Sequence, residues 1–322
     1  MRELDFDAAL ERIRGLVWRT PLIPVSAPNA DRVGHSVPAA RQSDAWLKLE
    51  SLQRTGSFKI RGAANRLLGL TPAERARGVV AVSSGNHGRA VAEVARILGI
   101  RATICVPDWA DPSKLRSIRA AGARLIRAGP SYDEADERAA GLAVAEGLTR
   151  VHPFDDADVI EGQGTVGLEL AEQLPGLGEV IVPLSGGGLV AGIGLALKPR
   201  GVRVVAVSAQ RASVMLKSLE AGRPLRIPDE ETIASALSGG IGDDNRLTLQ
   251  LVQEVVDEHI IVEEDAIRAA VRSAFRDHHL VVEGGGAVGL AALASGYRPR
   301  GRAAVIVSGG NIDAPALAAV AG

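Results

Sequence analysis

Short apolar runs rich in Val and Ile alternate with longer segments of helical periodicity along most of this chain, and this alternation restricts its fold. Seven of the runs are predicted strands: 45–49, 79–82, 102–106, 124–127, 180–183, 202–207 and 303–307. Six of the other segments are predicted helices: 86–98, 112–120, 132–145, 159–174, 264–276 and 287–294. The pattern predicts an α/β fold with two open, mainly parallel sheets, each covered by helices on both faces.

The length of 322 residues allows two packed domains. Residues 76–152 hold about four strand–helix units, which is the size of a small open-sheet domain. We therefore assign 76–152 to a small domain, and 1–75 together with 153–322 to a large one. Residues 27–44 are polar and contain Pro, Asn and Gly, which predicts an irregular surface excursion.

Composition excludes several classes of partner. The net charge of −1 gives no basic footprint for nucleic acid or an anionic membrane. The N-terminus lacks the apolar centre of a signal peptide, and the single cysteine, Cys105, allows no intrachain disulfide. The six histidines show no zinc spacing, so no metal site is predicted. We expect a cytoplasmic protein whose partner is a small molecule.

The segment 55–63 places Lys59, one of only five lysines, in a turn of small residues that opens an apolar helix. A lysine held there loses water, and desolvation lowers the pKa of an ammonium group. The neutral amine can attack a carbonyl carbon, so the position suits Schiff-base chemistry. The alternative is an ordinary surface lysine, but a positive charge at a helix N-terminus opposes the helix dipole.

A glycine-rich turn at 185–188 follows the strand 180–183 and precedes a helix. Consecutive glycines let main-chain N–H groups surround an anion, which indicates a phosphate site, although close helix–sheet packing would also need glycine. A dinucleotide fits poorly, because the next strand ends at Ser208 without the acidic residue that holds a ribose. A Walker lysine is also missing, so a phosphate monoester is the better ligand.

Three more turns complete a possible site. Residues 83–88 (Ser-Ser-Gly-Asn-His-Gly) open a helix with hydroxyl and amide groups that suit a carboxylate or phenolate oxygen, beyond the single residue that capping requires. The turn at 308–311 (Ser-Gly-Gly-Asn) follows another apolar strand, and 283–286 (Glu-Gly-Gly-Gly) adds an acid. Ligands of open α/β sheets bind beyond the carboxyl ends of strands, where these turns lie.

These ordered segments resemble the fold-type II pyridoxal-phosphate enzymes, and within them the threonine/serine dehydratases and serine racemase. The resemblance runs from about residue 10 to residue 315. It implies a tryptophan synthase β-like fold, a large domain that binds pyridoxal 5′-phosphate, and a homodimer. We also expect no allosteric feedback of the kind that an additional C-terminal regulatory domain gives some family members.

The resemblance also implies individual roles. Lys59 holds the coenzyme as a Schiff base and later removes the substrate Cα proton. Phe58 lies against the coenzyme, Asn86 hydrogen-bonds its ring 3′ oxygen, and Ser308 meets its pyridine nitrogen. The phosphate is held by Ser185, Gly186, Gly187, Gly188 and Leu189. The substrate carboxylate is bound by Ser83, Asn86 and His87.

Ser308 favours one reaction type. A hydroxyl group does not stabilise a protonated pyridine as a carboxylate would, so the ring is a weaker electron sink. A weak sink favours prompt loss of a β leaving group, and we expect elimination of water from a 3-hydroxy amino acid such as threonine or serine. The products would be a 2-oxo acid and ammonia, which suits amino-acid catabolism.

Several positions differ from the pattern of the family and leave alternative activities open. Ser84 stands where racemases carry the acid/base opposite the lysine, so amino-acid racemisation is a rival activity, and simple capping is the other explanation. Ser208 and Val214 replace cation ligands of the racemase branch, so loss of that cation site is expected. Glycines at 239–240 and 284–286 predict a wider pocket, and the 239–245 segment is similar to dehydratases of hydroxyectoine catabolism.

Two rivals come from other classes. A catalytically idle binding protein could keep the fold, but the presence of Lys59 argues against it. A nicotinamide dehydrogenase requires the glycine turn at 185–188 to hold a dinucleotide.

Overall fold

Two mainly parallel β-sheets organise the residues that the computed structural model describes, namely 3–25, 45–110 and 112–321. The surface excursion predicted at 27–44 lies outside these residues. The larger sheet contains β1 (Leu22–Pro24), β2 (Ala45–Lys48), β7 (Glu179–Pro183), β8 (Arg203–Ala209), β9 (Glu258–Val262) and β10 (Ala303–Ile306). The strand order is β1-β2-β10-β7-β8-β9, and only the edge strand β1 is antiparallel to its neighbour.

The smaller sheet is fully parallel, with the order β5-β4-β3-β6. It is formed by β3 (Val79–Val82), β4 (Ala102–Val106), β5 (Arg124–Arg127) and β6 (Thr149–Arg150). The predicted fold class, α/β with two open and mainly parallel sheets, is therefore confirmed. None of the helices in the described residues is both long enough and apolar enough to cross a membrane.

Helices cover both sheets. They are α1 (Phe6–Ile13), α2 (Lys59–Leu68), α3 (Pro72–Arg77), α4 (Asn86–Leu98), α5 (Pro112–Ala120), α6 (Tyr132–Glu146), α7 (Ala157–Gln173), α8 (Gly188–Leu197), α9 (Val214–Ala221), α10 (Thr248–Val255), α11 (Glu264–His278), α12 (Gly284–Ala294) and α13 (Ala314–Ala321). Alternate side chains of β8 point to opposite faces of the sheet and belong to two different cores. Val205 and Val207 pack with α11 and α12, whereas Val204 and Ala206 pack with α7, α8 and α10.

Helix α2 connects the two sheets. Ile60 and Leu67 belong to the apolar core that α4 and α5 form on one face of the small sheet. On its other side α2 meets α7 so closely that a Cβ on Gly162 would lie 2.6 Å from the Cα of Gly62. The helix that Lys59 begins is thus held by packing from both sides. The domain limits at 75/76 and 152/153 stay a prediction.

Three strands within the described part of the chain are absent from the sequence prediction. β1 is short and ends in a proline at a sheet edge, and β6 has only two residues. β9 begins with Glu258 and His259 and is only half-buried along most of its length, as an edge strand can be. None of them carries the continuous apolar run that marks a buried parallel strand.

Candidate active site

Three of the four turns predicted from sequence, 83–88, 185–188 and 308–311, follow the carboxyl ends of β3, β7 and β10. The fourth, 283–286, follows the coil after α11 and opens α12, so its predicted place at a strand end is wrong. The Phe58 N–H donates to the Ser308 carbonyl at 3.0 Å, and Ser57 forms a β-bridge with Gly309. The Glu283 N–H donates to the Gly309 carbonyl at 3.1 Å. The Lys59 turn, the 308–311 turn and the start of α12 therefore form one contiguous surface.

Lys59 is the first residue of α2, and its side chain lies largely inside the protein. Its Nζ donates to the Pro153 carbonyl at 2.7 Å and lies 5.1 Å from the centre of the Phe58 ring. Burial lowers the pKa of Lys59 from 10.5 to about 8. Near neutral pH, a larger fraction of this lysine than of an ordinary lysine is therefore a neutral amine, as expected for a carbonyl-reactive group.

The segment 152–155 positions the carbonyl that Lys59 contacts. His152 Nδ1 accepts the Asp155 N–H at 2.7 Å, and burial lowers the pKa of His152 to about 4. Asp155 accepts the N–H groups of Leu247 and Thr248 at 2.9 and 2.8 Å, at the start of α10. Sequence reasoning missed this segment, because it follows the two-residue strand β6.

The glycine turn at 185–188 opens helix α8. Gly187 has φ +87° and precedes the first helical residue, and no side chain caps the N-terminus of α8. A Cβ on Gly188 would lie 3.0 Å from the Cα of Phe154, so this glycine allows the turn to approach the 152–155 segment closely. Ser185 Oγ donates to the Leu237 carbonyl at 2.9 Å. An uncapped helix N-terminus behind a glycine turn fits a phosphate group, and close packing also requires these glycines.

The 83–88 turn presents Asn86 to the site and turns His87 away from it. Asn86 Nδ2 donates to Glu283 Oε1 at 2.6 Å. The buried His87 ring donates from Nε2 to the Val151 carbonyl at 2.9 Å, and burial lowers its pKa to about 3. The neutral ring is already engaged, so His87 can offer an anion only its main-chain N–H. Ser84 is partly exposed in the turn, and Ser83 Oγ accepts the Gly85 N–H at 3.1 Å.

The turn at 308–311 approaches the acid at the start of α12. Ser308 is buried, and its Oγ lies 3.5 Å from the Gly285 carbonyl. A Cβ on Gly309 would collide with the Glu283 carboxylate and lie 3.3 Å from Asn86 Nδ2, which explains the glycine. The Ser57 hydroxyl is buried and has no hydrogen-bond partner among the described residues. An orphaned polar atom two residues before Lys59 fits a site that holds a polar group.

A buried cluster of charges lies behind Lys59. Arg61 Nε contacts Glu50 Oε2 at 2.8 Å, and Arg61 Nη1 contacts Glu169 Oε1 at 2.7 Å. Lys48 Nζ contacts the other oxygen of Glu169 at 2.5 Å. Burial raises the pKa of Glu50, but the charge and hydrogen bonds of Arg61, with Lys48 and Thr20, together outweigh it, so the pKa lies below its usual value. Sequence reasoning missed this cluster, because its members come from separate segments.

The glycines at 284–286 do not widen the pocket as the sequence suggested. A Cβ on Gly284 would collide with the Ile233 main chain, and one on Gly286 would lie 3.0 Å from the Gly309 N. These glycines allow close packing and leave no void. Gly239 and Gly240 differ, because added Cβ atoms there meet only open space or a single atom at 3.9 Å.

The predicted loss of a cation site stays a prediction. Ser208 Oγ lies 3.5 Å from the Leu184 carbonyl, and Val214 is buried as the first residue of α9. Within 3–25, 45–110 and 112–321, no group of three or more His, Cys, Asp or Glu side chains is arranged to hold a metal.

A lysine with a lowered pKa among glycine turns is typical of a coenzyme-dependent enzyme of the α/β class. The family model described as "Pyridoxal-phosphate dependent enzyme" matches residues 13–309. The chain belongs to the pyridoxal-phosphate-dependent enzyme family, as the sequence resemblance indicated, and pyridoxal phosphate is its cofactor. Bare glycine main chain, an orphaned hydroxyl and a lysine with a lowered pKa all fit this group.

Named relatives match nearly the whole chain. A "Putative threonine dehydratase" from Sinorhizobium fredii is 42% identical over 313 residues, which cover 96% of this chain and 92% of that protein. An "L-threonine ammonia-lyase" from Thermotoga maritima is 43% identical, covering 96% and 75%.

Solved structures agree with the fold. Maize serine racemase superposes with a TM-score of 0.86 at 33% identity, covering 98% of this chain and 94% of that one. A threonine deaminase from T.th. gives a TM-score of 0.83 at 37% identity, covering 96% and 97%.

Proposed function

We propose that this enzyme is a lyase that eliminates water from a 3-hydroxy amino acid of the threonine or serine type and yields a 2-oxo acid and ammonia. The observation that carries the proposal is Lys59, whose pKa is lowered to about 8 beside two glycine-lined turns. Relatives named as threonine dehydratase and L-threonine ammonia-lyase, at 42% and 43% identity, support the substrate class.

We assign the cofactor contacts to the residues predicted from sequence. Lys59 would hold the coenzyme covalently, with Phe58 against its ring, Asn86 at the 3′ oxygen and Ser308 at the pyridine nitrogen. Main-chain N–H groups of residues 185–189 would bind the phosphate. When bound, the coenzyme withdraws electrons from the substrate Cα and makes its proton acidic.

Lys59 supplies the base in this proposal. With a pKa of about 8, its amine takes up a proton from Cα without the large cost of deprotonating an ordinary lysine near neutral pH. The Pro153 carbonyl accepts a hydrogen bond from Nζ and orients the amine. Main-chain N–H groups at the start of α4, together with Ser83, would orient the substrate carboxylate.

Racemisation is a second candidate because Ser84 lies in the same turn as Asn86 and is partly exposed. Its hydroxyl would have to exchange a proton with Cα on the side opposite Lys59. The similar fold of maize serine racemase supports keeping this candidate. Both activities share Lys59 and differ in their dependence on Ser84.

We also propose that the chain forms a homodimer in the cytoplasm. Trp18, Leu52 and Val281 are exposed apolar side chains. They stand on neighbouring segments, because the Trp18 N–H donates to the side chain of Gln53, and a Cβ on Gly310 would lie 2.5 Å from the Val281 carbonyl and 3.2 Å from Ser51 Cβ. Exposed apolar side chains on neighbouring segments are typical of a protein interface. We further propose that residues 76–152 form the small domain and that 1–75 and 153–322 form the large one.

One experiment separates the two activities. The purified protein is incubated with a panel of L- and D-3-hydroxy amino acids, and oxo acid and enantiomer ratio are measured together. We expect oxo acid from threonine or serine as the main product. Lys59→Ala should abolish it, whereas Lys217→Ala, at an exposed position on α9, should not. Oxo acid formation that survives Lys59→Ala would contradict the proposal.

A further inference from the structure

A row of hydrogen-bonded side chains leads from the surface of α4 to the coenzyme site. Arg89 Nη1 donates to Asn311 Oδ1. Asn311 Nδ2 donates to the Thr55 carbonyl at 2.9 Å and to Asn86 Oδ1 at 2.6 Å. Asn86 Nδ2 then donates to Glu283 Oε1 at 2.6 Å. Two amides are thus linked end to end between a guanidinium and a carboxylate.

The chemistry of the partners fixes which way each amide faces. A guanidinium can only donate, and a main-chain carbonyl can only accept. Asn311 must therefore present its oxygen to Arg89 and its nitrogen to Thr55. Because that same nitrogen donates to Asn86, the Asn86 amide must offer its oxygen to Asn311. Its nitrogen is left to face Glu283 and the coenzyme site.

Local packing keeps Asn311 in this place. Gly56 has φ +75°, and a Cβ there would lie 2.9 Å from Asn311 Cγ. The Gly310 N–H also donates to the Gly56 carbonyl at 2.9 Å. The Lys59 turn therefore has a glycine where the Asn311 side chain passes.

We propose that Asn311 and Arg89 are positioning residues that hold the Asn86 amide with its nitrogen toward the ring 3′ oxygen of the coenzyme. This inference rests on the proposed function, in which Asn86 contacts that oxygen. One hydrogen of the Asn86 NH₂ group goes to Glu283, and the second is available for the ring oxygen. If the Asn86 amide turned over, its Oδ1 would face the ring 3′ oxygen and repel it.

The first test replaces Asn311 by an acceptor of the same shape. Asn311→Asp keeps a partner for Arg89 but loses both donated bonds, so the Asn86 amide turns over. We expect coenzyme affinity, measured by titrating the coenzyme-free protein, to fall by about tenfold, the upper end for one net hydrogen bond. The pH midpoint of the visible coenzyme band should also rise. The ring 3′ oxygen, without the hydrogen bond from the Asn86 NH₂ group, would hold its proton more tightly.

A double-mutant cycle distinguishes positioning from a general structural effect. In an Asn86→Ala background, Asn311→Asp should add little to either change, because both act through one amide. Full, additive effects in that background would overturn the inference.

Arg89 gives a second test near the surface. Arg89→Met should raise the pH midpoint of the band, and Arg89→Lys, which keeps a donor, should restore most of the wild-type value. Equal midpoints for Arg89→Met and the wild type would overturn the role of Arg89. Wild-type protein that takes up no coenzyme would contradict the proposed function itself, and the inference with it. Coenzyme-bound wild type with an unchanged Asn311→Asp variant would overturn the inference alone.

Discussion

Individual side chains set the chemistry of this site mainly through burial. Lys59 and His87 both have lowered pKa values, and desolvation is the leading cause for each. The sequence predicted this for Lys59, because a lysine in a turn of small residues before an apolar helix loses water. It gave no sign that the His87 ring would turn toward Val151, since that contact depends on where β6 ends.

His87 should make the protein sensitive to acid. Its pKa is about 3 when folded and near 6.5 when unfolded, so the unfolded state binds the extra proton between these values. The free energy of unfolding should therefore fall as pH drops from 6.5 toward 3, by about 2 kcal/mol at pH 5 from this group. Urea unfolding at pH 7 and pH 5 measures this fall in the free energy of unfolding.

His87→Gln keeps a donor for the Val151 carbonyl and removes the titration, so the loss between pH 7 and pH 5 should become smaller. His279→Asn is the control, because that residue is exposed and its φ of 57° suits Asn. An unchanged pH dependence in His87→Gln would contradict this account.

Ser84 separates the two candidate activities. Ser84→Ala removes the only hydroxyl assigned to the opposite face of the substrate but leaves Lys59 and the glycine turns in place. Racemisation should fall by about 100-fold, the lower end for one acid/base group, while dehydration stays within about twofold. The two rates are measured on one substrate. Equal loss of both would remove Ser84 as an acid/base group.

Helix starts and glycine turns place these side chains. Bounds predicted for α4 and α5 agree with the structure, because their apolar periodicity and flanking residues mark both ends. The glycines at 284–286 show the limit of sequence reasoning. Missing side chains suggested open space, whereas Gly284 allows the start of α12 to approach the Ile233 main chain. A glycine alone does not reveal whether space or backbone lies beside it.

The turn before α8 can be tested with two glycines of similar geometry. Gly187 has φ +87° and an added Cβ would lie 2.8 Å from Val252 Cγ2, whereas Gly222 has φ +68° and open space around it. Gly222→Ala should cost about 1 kcal/mol of unfolding free energy from backbone strain alone. Gly187→Ala should cost more and also weaken coenzyme binding. Normal coenzyme affinity in Gly187→Ala would contradict the phosphate assignment.

The complete fold brings segments far apart in the chain to one site. The two sheets and the turns after β3, β7 and β10 follow from the pattern of Val- and Ile-rich runs, so the sequence predicted the fold class. It did not predict the cluster of Lys48, Glu50, Arg61 and Glu169, because ion pairs between distant segments leave no local signal. This cluster joins β2, the 50–52 turn, α2 and α7 behind Lys59.

Arg61→Ala tests that cluster. It leaves the buried carboxylates of Glu50 and Glu169 without their shared partner, so unfolding free energy should drop by about 3–5 kcal/mol. Arg19→Ala breaks the exposed pair with Glu172, which is 2.7 Å long, and should cost less than about 1 kcal/mol. Denaturant unfolding compares the two variants. Similar small losses in both would show that the buried cluster is not important for stability.

The most direct test is borohydride reduction of the coenzyme-saturated protein, followed by peptide mapping. Reduction converts an imine between lysine and coenzyme into a stable amine, so the attachment point can be read from the modified peptide. The account predicts a coloured protein whose modification lies on Lys59 alone, with the other four lysines untouched. A colourless protein, or modification at any lysine other than Lys59, would contradict it.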